Sequence, residues 1–184
     1  MSAGHASIDE HFPLTDGRTE LVSVSTDVRL RVIDRQPAAV DPSLPPVLLV
    51  HGLASNARMW DGAGAALSRQ GIRSVAVDLR GHGRSDKPDD GYDFSTVVGD
   101  LTALLDSLGI ARAVFVGQSW GGNVVIHAAH ERPDVVVGAV AVDGGMIELG
   151  RNFSNWDDCA SALRPPNLIG TRFGRMDAAM RSMN

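Results

Sequence analysis

The chain has 184 residues, of which 43% are hydrophobic, and its formal net charge is −5 at pH 7. This length fits one domain, and the apolar content is enough for a buried core, which excludes a disordered or low-complexity protein. The excess of acidic residues argues against a nucleic-acid partner. The single cysteine, Cys159, excludes a disulfide framework and a cysteine-based metal site.

No segment of the sequence is apolar over a length that spans a bilayer. The longest apolar run, 135–142, is broken only by Gly138 and is far shorter than the roughly 20 residues of a spanning helix. Residues 1–10 are polar and acidic, without the apolar stretch of a secretion signal. These features predict a cytoplasmic globular protein without a membrane span.

The first predicted element is a β-hairpin. Apolar and polar residues alternate over 22–24 and over 28–32, and the intervening Ser25-Thr26-Asp27 is typical of a turn. A proline-rich connector, 37–46, then leads to the continuous apolar segment 47–50. Such a segment favours a strand inside a parallel sheet, covered on both faces.

From residue 57 onward, predicted helices and strands alternate. We expect helices over 57–70, up to residue 108 and over 120–130, with strands over 74–78, 113–116 and 135–142. The middle helix places its apolar residues on one face of a 3.6-residue repeat, and Gly109 is a typical stop. This alternation predicts an α/β fold with a doubly wound, mostly parallel sheet of about six strands.

The sequence changes character near residue 150. Paired prolines, Pro165-Pro166, and several methionines appear without a further strand pattern. We therefore expect two parts, a core over 1–150 and the beginning of a helical cap over 151–184.

One motif carries the chemistry. Residues 117–121 read GQSWG and fit G-x-S-x-G between a predicted strand and a predicted helix. A strand that reverses sharply into a helix forces Ser119 into a strained backbone conformation, and Gly117 and Gly121 let neighbouring backbone pass close by. The Ser119 hydroxyl is then expected at a helix N-terminus, where a developing negative charge is favoured.

Three further segments resemble the α/β-hydrolase superfamily. His51-Gly52-Leu53 is similar to the family's H-G oxyanion loop, and DLRGHGRSD over 78–86 resembles its D-x-R-G-x-G-x-S loop. VAVD over 140–143 resembles the end of the sixth strand, and order and spacing agree from about residue 20 to residue 145. The resemblance implies that Ser119 is the nucleophile, that the N–H groups of Leu53 and Trp120 form the oxyanion hole, and that no metal or cofactor takes part.

The residue at the centre of the motif narrows the reaction that the resemblance implies. Ser119 excludes the branches that use Asp at this position, the haloalkane dehalogenases and the epoxide hydrolases. The implied function is therefore a serine hydrolase that cleaves a small, largely apolar ester or related acyl substrate through an acyl-enzyme on Ser119. Ester, thioester, amide and activated C–C cleavage all remain open.

The family places a catalytic acid and a histidine after the serine in chain order, following the seventh and eighth strands. The sequence shows neither strand before Asn184. We therefore expect the N-terminal portion of a longer hydrolase or a truncated gene product. A third option is a half that needs a partner chain to complete its sheet.

Other residues are weaker candidates for the missing roles. His127 lies eight residues after Ser119 on one helix, about 12 Å along its axis and out of reach. His51 and His82 fall at the carboxyl ends of strands, where we expect them to shape loops rather than to act as a base. Asp143 is a candidate acid, although an Asp that caps a loop is the more common role.

Two alternatives belong to other functional classes. The absent base favours a catalytically incomplete hydrolase-fold fragment that binds a ligand or a partner. A nucleotide-binding α/β domain fits less well, because Gly81-His82-Gly83 lacks a third glycine at the required offset and does not open a helix.

Overall fold

Within the described residues, a six-stranded sheet forms the core of the larger part of the chain. The computed structural model describes residues 17–145, 151 and 153–163. The strands are β1 (Arg18–Ser23), β2 (Arg29–Arg35), β3 (Val47–Val50), β4 (Ser74–Val77), β5 (Ala113–Gln118) and β6 (Val136–Val142). Their spatial order is β1-β2-β4-β3-β5-β6. Strand β2 is antiparallel to both of its neighbours, β1 and β4, and the four strands from β3 to β6 pair in parallel, which confirms the predicted mostly parallel α/β sheet.

The predicted hairpin consists of β1 and β2. Its register pairs Ser23 with Arg29 and Arg18 with Asp34. The turn closes where the Val24 N–H donates to the Val28 carbonyl at 3.0 Å. Strand β2 is buried except for its first residue, because β1 covers one of its edges and β4 the other.

Three helices flank the sheet: α1 (Asp61–Arg69), α2 (Phe94–Ser107) and α3 (Trp120–Glu131). The single helix expected over 57–70 is instead a 3-10 turn, Ala57–Trp60, followed by α1. The turn is held from outside the segment, because the Ala57 N–H donates to the Asp78 carboxylate at 2.7 Å. Helix α2 begins as expected from its sequence, with Asp93 accepting a hydrogen bond from the Thr96 N–H at 2.9 Å.

The core has two parts, one on each face of the sheet. Successive residues of β3 alternate between them, with Leu48 and Val50 in the larger part and Val47 and Leu49 in the smaller. Helices α2 and α3 contribute to the larger part, and the 3-10 turn contributes Ala57 and Trp60 to the smaller. This arrangement explains why β3 is apolar at every position.

The chain divides into two compact units, residues 1–147 and 148–184. In the second unit, α4 (Trp156–Leu163) is described, and the Asn155 side chain accepts a hydrogen bond from the Asp158 N–H at 2.9 Å. Cys159 on this helix is a buried free thiol. Residues 164–184 lie outside the described part of the chain, so the cap expected over 151–184 remains a prediction.

A membrane-crossing helix would have to be both long and apolar. Among the residues that the structure describes, no helix meets both conditions.

Candidate active site

The loops that follow β3 and β5 meet at one edge of the sheet. The chain passes from β3 to β4 on one side and then to β5 on the other, so the strand order reverses at β3. In open α/β sheets, ligands bind in the crevice at the carboxyl ends of the strands where such a reversal occurs. The structure brings His51-Gly52 and Ser119 together there: a Cβ atom built on Gly52 would lie 3.0 Å from the Ser119 Cβ.

Ser119 occupies the sharp junction between β5 and α3. Its backbone has φ 52° and ψ −120°, a conformation that non-glycine residues rarely adopt. Two backbone hydrogen bonds fix the junction: the Ser119 N–H donates to the Val142 carbonyl at 3.0 Å, and the Gly122 N–H donates to the Ser119 carbonyl at 2.8 Å. The strain that the motif predicts for this position is therefore present, and the half-buried side chain follows directly after the strand.

The glycines of the motif leave no room for a side chain. A Cβ atom on Gly121 would lie 2.5 Å from the His51 carbonyl oxygen, and one on Gly117 would overlap the Gly121 carbonyl. Both separations are shorter than those that real Cβ atoms show. The elbow, which we define as residues 117–122, is thus built from backbone in direct contact with backbone.

His51 is fully buried, and both of its ring nitrogens are engaged. The Leu79 N–H donates to Nε2 at 3.0 Å, so Nδ1 carries the proton and donates to the Gly52 carbonyl at 2.6 Å. Burial lowers the pKa of His51 to about 4, which keeps the ring neutral near pH 7. His51 therefore ties the loop after β3 to the loop after β4 and has no free nitrogen to act as a base.

The other histidines near the site also serve as packing groups. The Nδ1 atom of His82 lies 2.9 Å from the Arg80 carbonyl oxygen, and its ring centroid is 4.9 Å from that of His51. His127 stacks on Phe94 with ring centroids 4.1 Å apart. In the part of the chain that the structure describes, no histidine is hydrogen-bonded to the Ser119 hydroxyl.

Two backbone N–H groups beside Ser119 are available to a ligand. Within the described residues, neither the Leu53 N–H nor the Trp120 N–H donates to an acceptor. Leu53 follows the buried His51-Gly52 pair, and Trp120 is the first residue of α3. The Trp120 ring packs on Phe94 with centroids 5.8 Å apart. The oxyanion hole that the resemblance implies for these two N–H groups stays a prediction.

Charged side chains fix the loop after β4, residues 78–86. The buried Asp78 carboxylate accepts hydrogen bonds from the N–H groups of Ala57 and Arg84. Arg80 forms two hydrogen bonds with Asp100, at 2.6 and 2.8 Å, and these raise the pKa of Arg80. Residues of the DLRGHGRSD motif therefore hold this loop in place through hydrogen bonds and paired charges.

Asp86 and Arg29 brace the same loop at the protein surface. Arg29 donates to the Asp86 carboxylate from Nε at 3.0 Å and from Nη2 at 3.1 Å. These hydrogen bonds lower the pKa of Asp86. The pair joins the start of β2 to the end of the loop.

Asp143 lies where the sequence places it, directly after β6. Its side chain is exposed and its backbone has φ 49°. Within the described residues, no hydrogen bond links its carboxylate to a histidine, so the role of acid stays a prediction. The sequence reasoning overlooked the next two residues, Gly144 and Gly145, which contact the elbow; a glycine pair after a strand was the available signal.

A metal centre would require several ligating side chains in one place. Among the described residues, no group of three or more His, Cys, Asp or Glu side chains is arranged to hold a metal ion.

The sheet and the strained Ser119 are features that a known protein family shares. The family model for the alpha/beta hydrolase fold matches residues 45–165, which is more than half of the chain. The chain therefore belongs to the α/β-hydrolase fold family.

Several curated proteins are similar in sequence. Epoxide hydrolase A of Mycobacterium tuberculosis is 37% identical over 126 residues, which cover 67% of this chain and 38% of that protein. The non-heme chloroperoxidase of Streptomyces lividans is 40% identical over 98 residues, covering 53% of this chain and 36% of that protein. The chain thus spans little more than a third of the length of these relatives.

Solved structures agree with this assignment. Epoxide hydrolase A from Mycobacterium thermoresistibile is 34% identical with a TM-score of 0.61, over 68% of this chain and 38% of that one. A probable hydrolytic enzyme from Pseudomonas aeruginosa is 27% identical with a TM-score of 0.69, over 79% of this chain and 47% of that one.

Proposed function

We propose that the chain is the core of a serine hydrolase that cleaves a small, largely apolar ester or related acyl substrate. The observation that carries this proposal is the backbone of Ser119, which is strained at φ 52° between β5 and α3. Strain of this kind persists only where the surrounding structure holds it, and it clusters at active sites. The exposed apolar side chains of Leu53 and Met59, in the segment after β3, favour an apolar substrate.

The proposed reaction begins with attack of the Ser119 Oγ atom on the substrate carbonyl carbon. The carbonyl electron pair moves onto oxygen, and the N–H groups of Leu53 and Trp120 donate to the resulting oxyanion. Collapse of this intermediate expels the alcohol, which takes up the proton that a base removed from Ser119, and leaves an acyl-enzyme. Water then attacks the acyl carbon, releasing the acid and regenerating the hydroxyl.

The first test is covalent labelling of the purified chain with a fluorophosphonate. We expect any labelling of the wild-type chain to persist in Ser107→Ala, a control at the end of α2, and to be absent in Ser119→Ala. Labelling of the Ser119→Ala variant at the wild-type rate would contradict the assignment. Because labelling needs an activated hydroxyl, this test also reports whether the chain supplies a base.

The choice between esters and epoxides follows from the nucleophile. A carboxylate that opens an epoxide forms an ester, which water cleaves, whereas a serine alkoxide would form an ether, which water does not cleave under these conditions. Although relatives are named epoxide hydrolases, we therefore expect any turnover to be of p-nitrophenyl acetate and not of styrene oxide. Repeated turnover of styrene oxide, with Ser119→Ala equally active, would overturn the proposal.

A second candidate function is ligand binding without turnover. It is favoured by the engaged nitrogens of His51 and by the lack, within the described residues, of a histidine bonded to Ser119. This alternative predicts that ethyl butyrate raises the thermal unfolding midpoint of a chain that neither reacts with fluorophosphonate nor hydrolyses esters. Ser119-dependent hydrolysis would exclude it.

A further inference from the structure

A second turn of the backbone, Asp143-Gly144-Gly145, lies directly against the elbow. A Cβ atom on Gly144 would overlap the Ser119 carbonyl oxygen and would lie 2.7 Å from the Ser119 Cα. From the other side, a Cβ atom on Gly122 would lie 2.9 Å from the Gly145 nitrogen. The two turns therefore touch through their main chains, with no side chain between them.

One side chain of α3 fastens this turn to the elbow. The Gly145 N–H donates to Asn123 Oδ1 at 2.9 Å, in a partly buried position. Asn123 lies in the first turn of α3, four residues after Ser119. Because Asn123 belongs to the helix that the elbow starts, this hydrogen bond links the end of β6 to the first turn of α3.

The turn itself has a backbone conformation that few residues adopt. Asp143 has φ 49° and Gly145 has φ 96°, both in the left-handed region. Gly144 is not in that region, so an alanine there would be resisted by contact with Ser119 alone. The sequence thus places its smallest residue directly against the Ser119 backbone.

We propose that Asn123 and Gly144 are positioning residues that hold Ser119 in its strained conformation. This inference rests on the proposed function, in which Ser119 is the nucleophile. The Asp143–Gly145 turn packs against the Ser119 carbonyl, and the hydrogen bond from the Gly145 N–H to Asn123 holds the turn there. Neither residue touches the substrate in this scheme; each acts through the backbone of the elbow.

Four variants of the chain test this role. Gly144→Ala adds a methyl group against Ser119, and Asn123→Leu removes the acceptor for the Gly145 N–H at similar side-chain volume. Asn123→Asp keeps an acceptor oxygen at the same position. Gly99→Ala makes the same change as Gly144→Ala, but in α2 where nothing lies within 4 Å of the added atom.

Two measurements separate positioning from general stability. The first is the second-order rate constant for fluorophosphonate labelling of Ser119, measured well below each thermal midpoint. We expect Gly144→Ala and Asn123→Leu to lower it about a hundredfold, since small misplacements of a reacting group have effects of this size. Asn123→Asp and Gly99→Ala should label at close to the wild-type rate.

The second measurement does not depend on catalysis. Hydrogen exchange of the Ser119 and Gly122 amides, which form the two hydrogen bonds of the elbow, should become about tenfold faster in Gly144→Ala and Asn123→Leu. Amides in α2 should keep their rates. If labelling does not depend on Ser119 but these two amides respond, the proposed function fails while the positioning role stands.

Other outcomes overturn the inference. Wild-type labelling and exchange in both Gly144→Ala and Asn123→Leu would show that the turn does not support the elbow. Equal loss in Asn123→Asp and Asn123→Leu would show that the acceptor oxygen is not what matters. A loss of thermal stability without any change in labelling rate or local exchange would assign both residues a merely structural role.

Discussion

The elbow and the loop after β4 lie at the same edge of the sheet, yet they are held in place by opposite means. In the elbow, backbone packs on backbone, and Gly117 and Gly121 have no space for a Cβ atom. In the loop, charged side chains are paired, with Asp78 and Asp100 both buried. The elbow therefore depends on the absence of Cβ atoms at its glycines, and the loop depends on paired charged side chains.

This difference implies different sensitivities. Added volume should damage the elbow, whereas salt should leave it unchanged, because its contacts involve no ionised groups. Loss of a charge should damage the loop, because its partner is left buried and unpaired. His51 joins the two regions through Leu79 and Gly52, so its ionisation should affect both.

Removal of the Arg80 charge should have the largest effect. Arg80→Met leaves the buried Asp100 carboxylate without its two guanidinium hydrogen bonds, and we expect the free energy of unfolding to fall by about 4 kcal/mol. Urea denaturation measures this change. The double variant Arg80→Met/Asp100→Leu is the control and should recover most of the loss. Equal stability of the single and double variants would contradict the prediction.

Added volume in the elbow should have the next largest effect. In Gly117→Ala the new methyl group overlaps the Gly121 carbonyl, and we expect a loss of about 3 kcal/mol in the free energy of unfolding. Added salt should not change this loss. Gly62→Ala in α1, where the Cβ meets nothing within 4 Å, should be stabilising by up to about 1 kcal/mol. Similar stabilities for the two variants would show that the elbow relaxes.

The pH dependence of His51 should be smaller. Its pKa of about 4 in the folded chain lies below the ordinary 6.5, so the unfolded chain binds a proton first as pH falls. Stability is then complete above pH 6.5 and declines toward pH 4, by about 2 kcal/mol between 6.5 and 5. Urea midpoints across this range should fall less steeply for His51→Gln. Identical slopes would show that His51 takes up its proton normally.

The surface pair of Arg29 and Asp86 should have the smallest effect. Hydrogen bonds from Arg29 lower the pKa of Asp86, so this contribution exists above the ordinary aspartate pKa and is lost as pH falls through the lowered one. We expect Asp86→Asn to lower the urea midpoint slightly at low salt, and about 0.5 M NaCl should reduce the difference. A large effect that survives salt would mean that the pair behaves like the buried Arg80–Asp100 pair.

Features that depend on nearby residues could be predicted from the sequence. The hairpin over 22–32 follows from alternation and a turn, and α2 follows from one apolar face and an Asp cap. The position of Ser119 between a strand and a helix follows from its two glycines. In each case the residues that decide the structure lie within a few positions of one another.

Features that depend on distant residues could not be predicted. The 3-10 turn over 57–60 is held in part by a distant residue, because the Ala57 N–H donates to the Asp78 carboxylate. His51 has no free nitrogen because Leu79 and Gly52 engage both of them. The Asn123 side chain accepts a hydrogen bond from Gly145, which lies beyond the end of the next strand. Sequence periodicity contains no information about such pairs.

The strand order also affects the order in which parts of the sheet form during folding. Val47 of β3 pairs with Ser74 of β4 and with Val114 of β5, and Val114 lies much further along the chain than Ser74 does. Contacts between residues so far apart form slowly, because the loop must close before they stabilise the chain. The conformation of Ser119 needs β5 between β3 and β6, so it arises late. During refolding, any labelling of Ser119 should therefore appear later than the change in tryptophan fluorescence. Its time course would report when the sheet is complete.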